Sequence, residues 1–302
     1  MVSISQIKTA IKKGDLFKKA FCLLLIKLGF SNTVLQTLEV RNKNYLYVKK
    51  RYAKYIEKFK DYEANSDERE QIIWVLWLQG IDNAPALIQA CCRSIMENAG
   101  EYKVVFLDST NYTKYATLPE YIVSKWKKGI ISNTHFADIL RTELMILHGG
   151  IWMDATTLLT GDLPEYITKT DFFVYKRGMI RDITTLANNW LISSNRNNRL
   201  LLCVREMLFE YWKQENKLIE YFIWQNCFTI AAEVYKKDWD EVLHIPDTLP
   251  ETMAWNIFKK YDPKVVRAIT DLSPVHKLSY KLKTPSDYSN TIYEKILVGE
   301  II

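Results

Sequence analysis

Residues 72–107 constrain the fold more than any other part of the chain. The run Ile72-Ile73-Trp74-Val75-Leu76-Trp77-Leu78 has the length and the β-branched, aromatic composition of a buried strand. A helix is predicted from Pro85 to Asn98, with Asn83 as its cap just ahead of a proline at an early helical position. Tyr102 to Leu107 then reads as a second strand, ending at Asp108. Strand, helix and strand within about 36 residues is the size of a βαβ unit. Such units build a mostly parallel sheet with helices on its faces, so the expected fold class is α/β. The polar breaker Ala64-Asn65-Ser66-Asp67-Glu68-Arg69-Glu70 divides the chain into an N-terminal segment, 1–65, and a main domain, 66–302.

Further along, a short helix is predicted from Leu118 to Trp126, led by Pro119. A stronger one runs from Thr134 to His148 and is stopped by Gly149-Gly150. Its residues Phe136, Ile139, Leu140, Leu144, Ile146 and Leu147 cover one broad apolar side, while Asp138 and Arg141, three apart, share another. The strand Ile151-Trp152-Met153 follows at once and ends on Asp154. A strand is expected over Asp171–Tyr175, helices over Arg199–Gln214 and Leu218–Lys236, and an irregular C-terminal segment that holds Ser273-Pro274-Val275-His276-Lys277-Leu278.

In open α/β sheets ligands bind outside the carboxyl ends of the strands, where Asp108 and Asp154 both fall. A carboxylate at the mouth of an apolar sheet is costly unless a cation or hydrogen-bond donors satisfy it. One solution is a divalent metal, since Mg2+ is commonly held by one or two carboxylates plus substrate phosphates. Another is that Asp154 caps the next element. Spacing does not choose between them, nor between a site pair and a plain i,i+3 salt bridge for Asp138 and Arg141.

Charge is unevenly placed. Residues 1–60 carry 14 Lys/Arg against 3 Asp/Glu, net +11, within a total of +6, which leaves −5 for the remainder. The same segment holds the apolar run Ala20–Phe30, broken by Lys27 and shorter than the roughly 20 apolar residues a membrane span needs. It lacks the small-residue cleavage site of a secretory signal. Two readings stand: an amphipathic segment lying on an anionic membrane face, or a pair of solvated helices packed on the domain. Nucleic acid is not the expected partner, because Tyr45, Tyr47, Tyr52 and Tyr55 recur at mixed spacings that match no binding module. Five cysteines without a CxxC spacing and four scattered histidines argue against a zinc site or a disulfide framework and fit reduced thiols in the cytoplasm better.

The succession Asn133 to Thr160, NTHFADILRTELMILHGGIWMDATTLLT, resembles the core of glycosyltransferase family 32 and its capsular polysaccharide synthesis relatives. These share an Ala/Ser-Asp-x-x-Arg helix, a Gly-Gly stop and an apolar strand ending in an acidic metal motif. Ile73 to Gly80 is similar to the family's first strand, and Pro274-Val275-His276-Lys277-Leu278 to a late segment of the capsular group. The resemblance implies a GT-A, Rossmann-like fold and a retaining transfer of a hexose from a UDP-sugar, with UDP-galactose and UDP-glucose the first donors to try. The implied acceptor is a lipid-linked oligosaccharide in capsule or exopolysaccharide assembly, reached at the inner face of the cell membrane.

Carried over by position, Trp77 would stack on uracil, Asp138 would bind ribose or sugar hydroxyls, and Arg141 would bind phosphate or sugar oxygens. Asp154 would hold Mn2+ or Mg2+ bridging the diphosphate, and its replacement by Asn is expected to abolish transfer with thermal stability nearly unchanged. The family's Asp-x-Asp is here Asp154-Ala155-Thr156, and Thr is a neutral, weaker ligand. His276 is then a further candidate for the metal, Lys277 for the leaving diphosphate, and Asn188-Asn189-Trp190 for the neighbourhood of the sugar. Two alternatives accompany this reading: transfer to a protein side chain, and a non-catalytic nucleotide-sugar-binding protein that keeps the fold without the second acid.

Overall fold

The computed structural model describes residues 21, 24–29, 31–62, 69–177 and 182–301. They belong to two compact units, Met1–Val48 and Lys49–Ile302. The break thus falls earlier than the expected 65/66. Residues 49–62 belong with the larger unit because Tyr52 and Ile56 are fully buried in it. The Tyr52 ring lies 5.5 Å from that of Tyr211, and the Tyr235 hydroxyl donates to the Ile56 carbonyl at 2.6 Å.

In the smaller unit, helix α1 (Thr33–Tyr52) begins and runs on past the break. It exposes Val34, Leu35, Val40 and Leu46 among basic residues such as Arg41 and Lys43. Part of the apolar run Ala20–Phe30 lies outside the described residues. No helix among the described residues is long and apolar enough to cross a membrane.

The larger unit opens with β1 (Ile72–Leu76), α2 (Ala86–Glu97) and β2 (Lys103–Leu107), the expected βαβ unit. Helices α3 (Glu120–Lys127) and α4 (Asn133–Leu147) lead to β3 (Gly150–Asp154), and the short β4 (Thr157–Leu159) follows. Then come β5 (Phe172–Lys176), β6 (Ala187–Ser194), α5 (Arg199–Gln214) and α6 (Ile223–Val234). The chain closes with α7 (Thr248–Asn256), α8 (Pro263–Leu272), β7 (Val275–Lys277) and α9 (Ile292–Val298).

The central sheet has the order β2-β1-β3-β6-β5. β1 is parallel to both β2 and β3, and β6 is antiparallel to both β3 and β5, so four of the five strands point the same way. The core beneath it joins Ile73, Val75, Ile151, Met153, Phe173 and Leu191, all essentially buried. Each such side chain contributes about 1.5–3 kcal/mol relative to an exposed one.

Two glycines admit β3 to this sheet. Gly149 and Gly150 have φ of +65° and +89°, and a Cβ there would stand 2.6 Å from the Ser194 carbonyl oxygen and 2.5 Å from that of Ile72. The expected Gly-Gly stop therefore also serves as the slot through which the strand enters between its neighbours.

Several local expectations change. β1 ends at Leu76 rather than Leu78. The cap of α2 is Pro85, not Asn83, whose Nδ2 instead donates to the Gln79 carbonyl at 3.0 Å. The helix expected from Leu218 begins only at Ile223. The supposedly irregular C-terminal part contains α7, α8 and β7, and α8 is capped by the Asp262 side chain, which accepts from Lys264 N, with Pro263 at its first position. β7 pairs antiparallel with β4, Lys277 opposite Thr157 and His276 opposite Leu158. Leu87 and Cys91 of α2 pack with Met253, Val266, Ile269 and Leu278, tying this C-terminal part to the sheet-covering helix.

Candidate active site

β1 and β3 end side by side, Leu76 opposite Asp154. Because β6 runs the other way, its first residues, Asn188 to Trp190, reach the same edge of the sheet. β7 brings Lys277 there from 123 positions along the chain. A cleft of about 740 Å³ opens at this edge, lined by Trp77, Arg141, Asp154, Thr156, Asn188 and Lys277 among others.

Asp154 is the centre of its charge. Its Oδ1 accepts from Trp152 Nε1 at 3.1 Å and lies 3.2 Å from Arg141 Nη2. Its Oδ2 accepts from Lys277 Nζ at 3.0 Å, and the same ammonium donates to Thr156 Oγ1 at 2.5 Å. Burial pushes the Asp154 carboxyl up, but Lys277 and Arg141 outweigh it and hold the group below the usual carboxylate range. Asp154 caps no helix. Of its two sequence readings, the cap is the one its surroundings do not match.

Arg141 and Asp138 lie on one face of α4, whose N-terminus is capped by Ser132. They form the expected i,i+3 pair, Nη2 to Oδ1 at 3.3 Å, but Arg141 also reaches Asp154, the Asn189 carbonyl and the Trp152 ring, with Cζ 4.9 Å from its centroid. Both residues are about 95% buried, Arg141 5% and Asp138 6% exposed, so the guanidinium links two carboxylates in a setting that screens charge poorly. Asp138 does not itself line the cleft. Asn189 donates to Asp138 Oδ1 at 2.8 Å and accepts from Gln225 Nε2 at 3.1 Å, whereas Asn188 turns to Asp247, donating to Oδ2 at 3.0 Å. Trp77 lines the cleft, its ring edge-on to Tyr280 with centroids 5.4 Å apart.

Two candidates leave the group. His276 is fully buried, its Nε2 2.9 Å from Thr160 Oγ1, and burial lowers its pKa from 6.5 to about 4. Successive strand residues face opposite ways, so the register that aims Lys277 at Asp154 aims His276 into the core. Asp108 folds back on its own turn, Oδ1 accepting from Thr110 N and Oγ1 at 2.7 Å and from Asn111 N at 2.9 Å. Those bonds hold its carboxyl below the usual range.

Mn2+ or Mg2+ would find one carboxylate, Asp154, and one hydroxyl, Thr156. These oxygens converge on a single point, and the Lys277 ammonium stands there. Among the described residues no three His, Cys, Asp or Glu side chains group to hold a metal. The protein's own donors therefore fit a resident divalent ion poorly, since it would have to displace Lys277 and draw most of its ligands from substrate phosphates.

Residues that sequence reasoning passed over complete the site. Trp152 stood inside the quoted motif, where its indole N–H read only as core. Gln225 carried no signal, because its role depends on α6 lying across the start of β6. Tyr221, Glu251 and Trp255 line the outer part of the same cleft.

No curated protein matches this chain. Among solved structures, the PaToxG glycosyltransferase aligns with a TM-score of 0.40 and 14% identity, over 68% of this chain and 83% of that one. The family model described as capsular polysaccharide synthesis protein matches residues 27–296, nearly the whole length with every site residue described above, and the chain belongs to that family.

Proposed function

We propose that this chain is a retaining glycosyltransferase that moves a hexose from a UDP-sugar, UDP-galactose or UDP-glucose, to a lipid-linked oligosaccharide during capsule assembly. The observation that carries the reading is the pairing of Asp154 with Lys277 and Arg141 at the mouth of a cleft on the carboxyl edge of the sheet. Two fixed cations suit a diphosphate, whose negative charge grows as it departs, and preorganised charge is the strongest aid to such a step. Trp77 offers an aromatic face for the uracil, and the Asn188–Trp190 segment lies where the sugar would follow. The GT-A assignment rests on the same arrangement of a parallel sheet with one reversed strand. Family membership supports a role in polysaccharide synthesis.

In the proposed reaction the bond from the sugar's anomeric carbon to the β-phosphate oxygen breaks, and a bond to the acceptor oxygen forms on the same face. The acceptor's proton passes to the departing phosphate oxygen. Arg141 and Lys277 bind and orient the diphosphate. Asp154, tied to both cations, is poorly placed to act as a nucleophile and instead holds them in position.

For the acceptor side, the exposed apolar residues of α1 among its basic ones support docking on an anionic membrane, with the enzyme peripheral at its cytoplasmic face. UDP release from a panel of UDP-sugars, measured with Mn2+, Mg2+ and EDTA, tests the function. Turnover of one sugar and not its epimers supports it; absence of both UDP binding and turnover overturns it.

A further inference from the structure

The outer part of the cleft differs in character from the charged end. Trp255 is 62% exposed, Tyr221 55% and Tyr280 42%, and all three line the same cavity. Exposed apolar side chains scattered singly are ordinary, but several exposed aromatics lining one concave site mark a binding surface. The Trp255 side chain makes no hydrogen bond and no ring contact with any described residue, although its backbone lies within α7. Helix α7 presents Glu251, Ala254 and Trp255 to the cavity, at i, i+3 and i+4, while Met253 anchors the opposite side in the core. The helix itself carries Glu251 and no Lys or Arg, and the lysines that line the cavity, Lys277 and Lys281, come from β7 and the segment after it.

We infer that Trp255 forms an acceptor subsite for a neutral pyranose ring. This deepens the transferase reading and rests on it. A pyranose has an apolar face of C–H groups that an indole covers well, and equatorial hydroxyls at its rim that a carboxylate one helical turn away, such as Glu251, accepts from. A flat aromatic platform on the solvent side of the donor pocket lets the growing saccharide extend outward while its terminal ring meets the anomeric carbon. Recognition by stacking tolerates variation in hydroxyl pattern, so the subsite sets ring orientation more than sugar identity.

Saturation-transfer NMR with methyl glycosides of glucose, galactose, N-acetylglucosamine and rhamnose tests this on the full-length chain, alongside UDP affinity by calorimetry. Wild type and W255F should both show saturation on the ring C–H protons of at least one glycoside. W255A should weaken that glycoside's binding by about tenfold or more while UDP affinity and melting temperature stay within error. Equal saturation in W255A and wild type, or no saturation of any glycoside by wild type, overturns the subsite. So does a result in which W255A leaves glycoside contact intact and instead reduces retention on anionic vesicles, which makes Trp255 a membrane anchor. Glycoside binding by a wild-type chain that fails to bind UDP would remove the transferase reading and leave the carbohydrate subsite standing.

Discussion

Lys277 donates to Asp154 Oδ2 at 3.0 Å and to Thr156 Oγ1 at 2.5 Å across 123 and 121 positions of sequence, so the last short strand supplies the cation for the acid that ends β3. With Arg141 3.2 Å from the other oxygen, one carboxylate faces two cations. Asp154→Asn removes the only negative charge of that trio. Transfer should fall by about a hundredfold or more, as when a preorganised electrostatic group is lost from a site. The sequence alone suggested unchanged stability, but here the buried Arg141 and the partly buried Lys277 lose their shared partner, and a cost of about 1–2 kcal/mol is expected, moderated because Arg141 keeps Asp138. UDP-sugar turnover and urea unfolding of the purified variant measure the two effects.

Lys277→Met separates the ammonium's two roles. It removes the cation that occupies the point where Asp154 and Thr156 converge, so Mn2+ binding without donor should tighten, by about tenfold, because the metal no longer competes with a resident charge. Turnover should nonetheless fall, since the diphosphate loses a fixed partner. Manganese titration followed by electron paramagnetic resonance reads the first effect. An unchanged or weakened Mn2+ affinity would show that the ammonium and the metal do not compete.

The βαβ unit, the Gly-Gly stop and Asp154 were legible because each rests on local chemistry: apolar runs of strand length, positive φ, and a charge where an apolar run stops. Asp138 and Arg141 were legible as a pair, yet the salt bridge and the site turned out to be one arrangement, in which Arg141 holds both Asp138 and Asp154. Lys277 and His276 were indistinguishable in sequence. Only the register of β7 on β4, set by tertiary packing, decides which of the two faces the cleft. β6 was hidden because its Asn188-Asn189 opening reads as loop, and α8 was passed over although Asp262-Pro263 is a proper start signal. Trp255 was invisible, since nothing local tells an exposed tryptophan from a core one.

His276 gives the fold a pH dependence of known sign. Burial lowers its pKa to about 4, against about 6.5 in the unfolded chain. Between these values the unfolded state binds a proton that the folded state does not, so stability is fully present above pH 6.5 and is lost as pH falls toward 4. The loss from this group is on the order of 3 kcal/mol. His276→Asn, which keeps a polar atom near Thr160, should flatten the stability profile in that window. Denaturant unfolding at closely spaced pH values, wild type against variant, gives the difference; parallel curves would refute the assignment.

Gly150→Ala tests how β3 enters the sheet. At φ +89° an added Cβ would meet the Ile72 carbonyl oxygen at 2.5 Å, and backbone of β1 cannot yield without breaking its pairing with β3. Strain and clash together should cost about 3 kcal/mol or more. Gly129→Ala is the control: its φ is +71° but nothing lies within 4 Å of the added atom, so only the backbone strain of about 1–2 kcal/mol should appear. Thermal unfolding of the two variants ranks them, and equal losses would mean that the close approach at Gly150 contributes nothing.

Asn189→Asp addresses the buried support beneath the cations. Asn189 Nδ2 donates to Asp138 Oδ1 at 2.8 Å while its own carbonyl oxygen accepts from Gln225, so the amide is used at both ends and its orientation is fixed. An aspartate there keeps the shape and the bond from Gln225 but sets a second carboxylate against Asp138 at hydrogen-bond distance, with both residues under 10% exposed. Two charges cannot both persist so close in a poorly screened setting, and the pair must share a proton or repel. At neutral pH the variant should be about 2–4 kcal/mol less stable than wild type, and the deficit should shrink as pH falls and the shared proton is taken up. Arg141, which is held by Asp138 and by the Asn189 carbonyl, should be displaced from Asp154 by the same substitution. UDP binding should therefore weaken at neutral pH and recover in part at pH 5, whereas a stability deficit independent of pH would mean that Asn189 acts only through packing.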